Sequence, residues 1–289
     1  MKFGIQETRT DKAGFDQLAR LHHETKDMLF GDVELDFSAC SWFDANMVAP
    51  LGVVLARITD DLNDITVANL CAPLQKILSK NNFLQQYGYE SVPDHNGTVV
   101  PYRRVNLSDD RYFAAYVQKY TDGKGIPAMT PMLRRKFYES IGELFANAVM
   151  HSESRLGVFA CGQYFPRLTR FDFCIADAGT GFVGAIQRSF ALEVDSLKAM
   201  RFCLGEGNTT KKNEPGGLGL KLLKHFIGLN KGRIVIVSNQ GYYEFSHQRE
   251  IFLPLGHSFP GTCINLEINT ADPSSYRLSS DPKNASPAP

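Results

Sequence analysis

Glu143 and Asn147 stand four residues apart in a segment, Lys136 to His151, whose apolar residues recur at helical spacing. On a helix both project from one face, about one turn apart, so one carboxylate and one amide share a site. That pair suits oxygen chemistry with a divalent cation: the amide oxygen can ligate Mg²⁺, and the carboxylate can orient or deprotonate an attacking water or hydroxyl. Alone, a Glu and an Asn on the wet face of an amphipathic helix are commonplace, and the sequence downstream supplies their context. The strand-like run Phe171 to Ala176 ends on Asp177, followed by Ala178-Gly179-Thr180-Gly181. A carboxylate at a strand end can accept a hydrogen bond from an exocyclic amine such as that of adenine, while Gly179 and Gly181 let the backbone approach a ring closely. A third element, Gly205-Glu206-Gly207-Asn208-Thr209-Thr210-Lys211-Lys212, leads through Asn213-Glu214-Pro215 into Gly216-Gly217-Leu218-Gly219-Leu220. Glycines immediately before a helix expose backbone N–H groups at its positive dipole end, a ready site for phosphate. The polar, basic loop ahead of them is placed to close over a nucleotide as a lid.

Two other nucleotide motifs compete. No GxxxxGK[ST] occurs, so a P-loop is absent. Gly179-Thr180-Gly181-Phe182-Val183-Gly184 does match the dinucleotide GxGxxG pattern, with Glu206 downstream as a ribose acid. Against it, Asp195 to Leu204 reads as helical where a second strand is required, and the motif leaves Glu143, Asn147 and Gly216 to Gly219 without a role.

The elements that must position these residues fall into two parts. The 289 residues, 43% hydrophobic, can bury one large core or two small ones. In the first part, Phe15 to Phe30 has mostly helical spacing and Val33 to Phe37 alternates as a strand. Asp44 is placed to cap a helix over residues 45–62. Ile65 to Leu70 reads as a strand, and Pro73 opens a further helix. This is a β-α-β-α order. A polar, aperiodic stretch near 94–106 then marks a boundary. The predicted division is a regulatory domain over 1–95, a linker over 96–107, a second α/β domain over 108–270 and a disordered tail over 271–289, rich in Ser, Pro, Asp and Asn. In the second domain, helices are predicted over 109–120, up to His151, over 192–204 and over 218–229, the last closed by Lys231-Gly232. Strands are predicted over 156–164, 171–176 and 262–268, and Asn239-Gln240-Gly241 reads as a hairpin turn between strands 233–238 and 242–246.

Lys and Arg number 31, as do Asp and Glu, and this balance argues against a nucleic-acid binder driven by net charge. The longest apolar stretch, Met47 to Ala56, is about half of the roughly 20 residues that cross a bilayer. The polar N-terminus has no signal-peptide h-region, so a cytoplasmic protein with no membrane role is expected. Six cysteines without a CxxC pair read as reduced thiols, and the seven histidines form no zinc pattern.

Taken in order, Glu143-x-x-x-Asn147-Ala148-Val149-x-His151-Ser152, Asp177-x-Gly179-x-Gly181 and Gly216-Gly217-Leu218-Gly219-Leu220 resemble the motif set of the Bergerat-fold ATPase/kinase superfamily, whose members include gyrase-type ATPases, heat-shock chaperones, histidine kinases and anti-sigma-factor serine kinases. The resemblance covers roughly residues 108–270. It implies ATP and Mg²⁺ as cofactors and an α/β sandwich, a mixed sheet covered by helices on one face. It assigns Asn147 to the Mg²⁺ ligand, Glu143 to the activating base, Asp177 to the adenine-reading carboxylate and Gly179 and Gly181 to the turn beside the base. Gly216, Gly217, Leu218 and Gly219 then face the triphosphate, Thr262 supports the adenine contact, and Lys211 or Lys212 reaches phosphate from the lid. Val33-Glu34-Leu35-Asp36-Phe37-Ser38 with Trp42-Phe43-Asp44-Ala45-Asn46-Met47 is similar to the STAS domain of anti-sigma-factor antagonists, over about residues 15–90. The serine that such domains offer for phosphorylation falls on Asn46 here. The resemblances imply a regulatory protein in which Mg·ATP, hydrolysed or only sensed, controls the STAS-like domain, a protein partner or a second copy. The alternative is a serine/threonine kinase acting on a separate STAS partner, and a degenerate, binding-only scaffold is a third reading.

Overall fold

The computed structural model describes residues 1–151, 154–205 and 218–282. The first part runs β1 (Lys2–Gly4), α1 (Lys12–Thr25), β2 (Asp32–Asp36), α2 (Val48–Asp60), β3 (Asp64–Ala68) and α3 (Ala72–Lys80). Its strands form a parallel sheet in the order β1-β2-β3. Asp11 caps α1, its carboxylate accepting from Gly14 N at 2.9 Å. Asp44 does not cap the helix that follows it. A single 3₁₀ turn, Ala45–Met47, precedes α2, and the Asp44 carboxylate instead accepts from Thr10 N and from Trp42 Nε1 and pairs with Arg170 at 2.9 Å.

The second part runs β4 (Val99–Val105), α4 (Asp110–Thr121), α5 (Pro131–His151), β5 (Val158–Phe165), β6 (Arg170–Asp177), α6 (Gly181–Phe190), α7 (Ser196–Leu204), α8 (Leu218–Asn230), β7 (Arg233–Ser246) and β8 (Arg249–Asn269). The five strands lie in the order β4-β5-β6-β8-β7, and every pairing is antiparallel, where a mixed sheet was expected. The segment expected as a linker supplies the edge strand β4. Its Val99, Val100, Tyr102 and Val105 are buried, and the Tyr102 ring meets Phe83 at 5.3 Å and Phe159 at 6.4 Å, so burial rather than periodicity makes this strand. Asn239 to Gly241 is not a hairpin but a bulge within β7. The chain reverses at His247-Gln248, both at positive φ (49° and 62°), the requirement of a tight hairpin turn. The stretch 271–282 of the expected tail is ordered: Tyr276 pairs with Met129, its ring meets Phe226 at 5.1 Å, and buried Asp281 accepts from Thr130 Oγ1.

The five-stranded sheet is covered on both faces. On one, Phe171, Phe173, Ile175, Ile234, Ile236, Leu266 and Ile268 pack with Phe113, Phe137, Ile141, Leu144, Phe145, Leu223 and Phe226 of α4, α5 and α8. On the other, Phe159, Cys161, Cys174, Ala176, Val235, Val237 and Cys263 join one continuous core with Phe15, Leu18, Val48, Leu51, Val54 and Leu55 of α1 and α2. Phe15 lies 6.4 Å from both Tyr242 and Phe259. Burial on both sides explains why β6 reads as a near-continuous apolar run instead of alternating. The sheet thus has helices on one face and the whole first part on the other, where cover on a single face was expected.

A polar seam crosses that second interface. Buried Asn46 donates from Nδ2 to Thr10 Oγ1 (2.9 Å) and to Asn265 Oδ1 (2.7 Å). Arg170 bridges Asp44 and the fully buried Asp172, at 2.9 and 3.0 Å, and burial pushes the Asp172 carboxyl well above the usual range. All six cysteines are free thiols. Among the described residues no helix is long and apolar enough to cross a membrane.

Candidate functional site

α5 buries Phe137, Ile141, Leu144, Phe145 and Ala148 against the sheet, which leaves Glu143 and Asn147 half-buried along its flank. Glu143 Oε2 accepts from Gly219 N at 2.8 Å, in the first turn of α8. The carboxylate therefore satisfies one of the free N–H groups that open a helix, and it sits at the positive end of the α8 dipole. A Cβ at Gly219 would lie 2.5 Å from the same oxygen, so glycine is what lets the two helices meet here. Asn147, one turn beyond Glu143, makes no side-chain hydrogen bond among the described residues.

Asp177 is the last residue of β6, opposite Val158 on β5 and Thr262 on β8. It is 5% exposed, and its Oδ1 accepts from Gly179 N at 2.8 Å. Burial pushes its carboxyl up to about 7, while the backbone N–H groups of Gly179 and Thr262 and the Arg57 charge hold it from rising further. Gly261, at φ 126°, keeps this end of the ladder open: a Cβ there would stand 2.0 Å from the Asp177 carbonyl oxygen. Thr262 Oγ1 lies 3.0 Å from Ser238 Oγ on β7.

Topology brings these residues to one end of the sheet. β5 begins, and β6 ends, where Thr262 and Ser238 pair, and α5 ends at His151, with six residues between it and the start of β5. α8 runs the other way: Asn230 at its far end bonds Asn269, which pairs with Arg170 at the opposite edge, so its first turn lies at the Asp177 end. Glu143, Asn147, Asp177, Gly179, Gly181, Gly219 and Thr262 are thereby gathered. Leu218 opens α8. Lys211, Lys212, Gly216 and Gly217, with Glu206 and the rest of the expected lid beyond Gly205, lie outside the described residues.

The GxGxxG run forms the strand, turn and helix that a dinucleotide fingerprint needs, but the donors at the helix start are taken. Phe182 N donates to Ser238 Oγ (2.9 Å) and Val183 N to Asn239 Oδ1 (3.1 Å), and β6 is antiparallel to both neighbours. A pyrophosphate would find neither free N–H groups nor a parallel βαβ unit. Sequence reasoning missed α6 as a helix and Ser238 and Asn239 as its caps. The signal was present: Ser and Asn are capping residues, but these two cap a helix more than 50 residues earlier in the chain, which no local rule reaches. It also missed Arg57 on α2, whose Nη2 donates to the Ala178 carbonyl beside Asp177. Asn46, where the sequence resemblance places a phosphoacceptor serine, is fully buried against Asn265 and so is closed to any kinase in this fold.

Among the described residues no group of three or more His, Cys, Asp or Glu side chains could hold a metal ion. Mg²⁺ held by one amide oxygen, substrate phosphates and waters needs no such cage, and Asn147 fits that mode. Compared with family models, with curated proteins and with solved structures, the chain matches none.

Proposed function

We propose that this chain is a regulatory ATP-binding protein, with a Bergerat-type nucleotide site in its second part and a STAS-like first part fixed to the back of the same sheet. The observation that carries this reading is the convergence of three sequence motifs, far apart in the chain, at one sheet end: Glu143 bonds the first turn of α8, and Asp177 sits opposite Thr262 on the neighbouring strand. In this reading Asp177 reads the exocyclic amine of adenine, and the N–H groups at the start of α8 receive phosphate oxygens. Asn147 would hold Mg²⁺ through its amide oxygen, and the ion would supply positive charge at the phosphates. Glu143 would serve as the base toward an attacking water. The continuous core between the parts supports a fixed, not a detachable, STAS-like unit.

Calorimetry with Mg·ATP, alongside a phosphate-release assay, tests the site. Wild type is expected to bind, and Asp177→Ala and Asn147→Ala to lose binding. Equal affinity in wild type and both variants would remove the assignment.

A further inference from the structure

α2 is buried along almost its whole length, yet its last turn carries an arginine. Arg57 reaches from α2 to the end of β6, with its Nε buried and unpartnered and its Nη2 donating to the Ala178 carbonyl. Ala178 is itself fully buried, one residue past the end of β6. The ladder on the β8 side ends at the Asp177 and Thr262 pair, and Gly261 leaves it there. The Ala178 carbonyl is therefore a buried acceptor beyond the sheet, which a side chain has to satisfy. It lies between the Asp177 carboxylate and the Gly179 N–H that bonds that carboxylate.

We propose that Arg57 is a positioning residue of the nucleotide site: from the first part, it holds the Ala178 carbonyl so that the Asp177–Gly179 turn keeps the geometry adenine requires. This rests on the ATP reading given above. Two consequences separate positioning from mere structural support. The guanidinium is the charged group acting on Asp177 among the described residues, and the elements packed around the carboxyl otherwise present Thr262, Ser238 and backbone N–H groups. Neighbouring His22 on α1 is held down to about 4, by burial first and then by Arg57, so it is neutral and adds no charge near pH 7. Arg57 thus favours the ionised form of Asp177, the form that accepts from an amine.

The test measures Mg·ATP affinity of the full chain from pH 5.5 to 9 for wild type, Arg57→Ala, Arg57→Gln and Arg57→Lys, with thermal melts as a fold control. Arg57→Ala is expected to weaken binding about 10-fold at pH 7.5 and to move the midpoint of the pH profile upward. Arg57→Gln, which keeps a donor for Ala178, should bind normally at pH 9 and share the raised midpoint, and Arg57→Lys should restore it. Gln and Lys serve if Ala does not fold. Variants that bind with wild-type affinity and midpoint overturn the role of Arg57 and leave the ATP site standing. A wild type that binds no Mg·ATP at any pH overturns the ATP reading, and this proposal with it.

Discussion

Replacing Asp177 with Asn is predicted to stabilise the protein while abolishing nucleotide binding, and the effect has a definite pH signature. Burial pushes the folded carboxyl up to about 7 from an ordinary value of 3.8. At about 1.4 kcal/mol per unit this is about 4 kcal/mol, to order of magnitude. The sign follows from proton counting. Between pH 4 and 7 the folded chain holds a proton that the unfolded chain has released, so wild-type stability falls as pH rises through that window and levels off above it. Asn has nearly the same shape, can still accept from Gly179 N and has no proton to lose. The variant should therefore match wild type near pH 4 and gain steadily to about pH 7.5. A plateau of a few kcal/mol there corresponds to a rise in melting temperature of roughly 2 °C per kcal/mol for a chain near this size. Asp172, whose carboxyl is also raised by burial, is present in both proteins and cancels in the difference. Thermal melts of the pair across pH 4 to 8.5 read this directly. A difference in melting temperature that does not change with pH would refute the buried, proton-holding Asp177 on which the argument stands.

Three further outcomes follow from the same geometry. Glu143→Gln keeps an oxygen for Gly219 N, so it should bind Mg·ATP as wild type does and melt within about 1 °C of it, with phosphate release reduced about 100-fold or more, measured by single-turnover assay. Phe15→Ala removes a fully buried ring from the interface between the parts and should destabilise by about 3–5 kcal/mol. Because the core is continuous, wild type and variant should each unfold in one cooperative transition, and two separated transitions by calorimetry would mean that the parts are independent domains. Asn46→Asp, which would imitate phosphorylation if the proposed STAS-like reading holds, adds a third buried carboxylate to a seam that already holds Asp44 and Asp172. It should lower stability by several kcal/mol in a denaturant titration, whereas an active phosphomimetic would leave stability intact.

What the sequence made legible was local. The elements from α1 to α3 of the first part, and the helices that carry Glu143 and Gly219, follow from periodicity with turn and cap residues and lie within a few residues of their expected places, whereas the three-residue edge strand β1 was not expected. What failed depended on contacts remote in sequence. Val99 to Val105 is interrupted by Pro101 and two arginines, so it has no strand period, and its pairing with β5 and the burial of Val99, Val100, Tyr102 and Val105, with the Phe83 and Phe159 rings against Tyr102, make it an edge strand. Asn239-Gln240-Gly241 has hairpin composition, but Asn239 is committed to the start of α6, and the reversal moves to a His-Gln pair that no turn rule favours. Asp44 has the identity of a cap, and the competing demand of Arg170, from the other part, took its carboxylate.

The covered sheet also limits how a bound nucleotide could act. A ligand shifts an arrangement only by the difference in its affinity for two states, typically a few kcal/mol. Lifting the first part off the sheet would expose Phe15, Leu18, Val54 and Leu55 together with Cys161, Val235 and Val237, all of them buried in the common core. At about 1.5–3 kcal/mol for each large apolar side chain, that cost exceeds any such difference several times over. A nucleotide bound at this end is therefore expected to act without lifting the first part off the sheet. A signal from the Asp177 end has to pass through shifts small enough to keep the core closed, and the hydrogen bond from Arg57 to Ala178 is a direct route of that kind into α2.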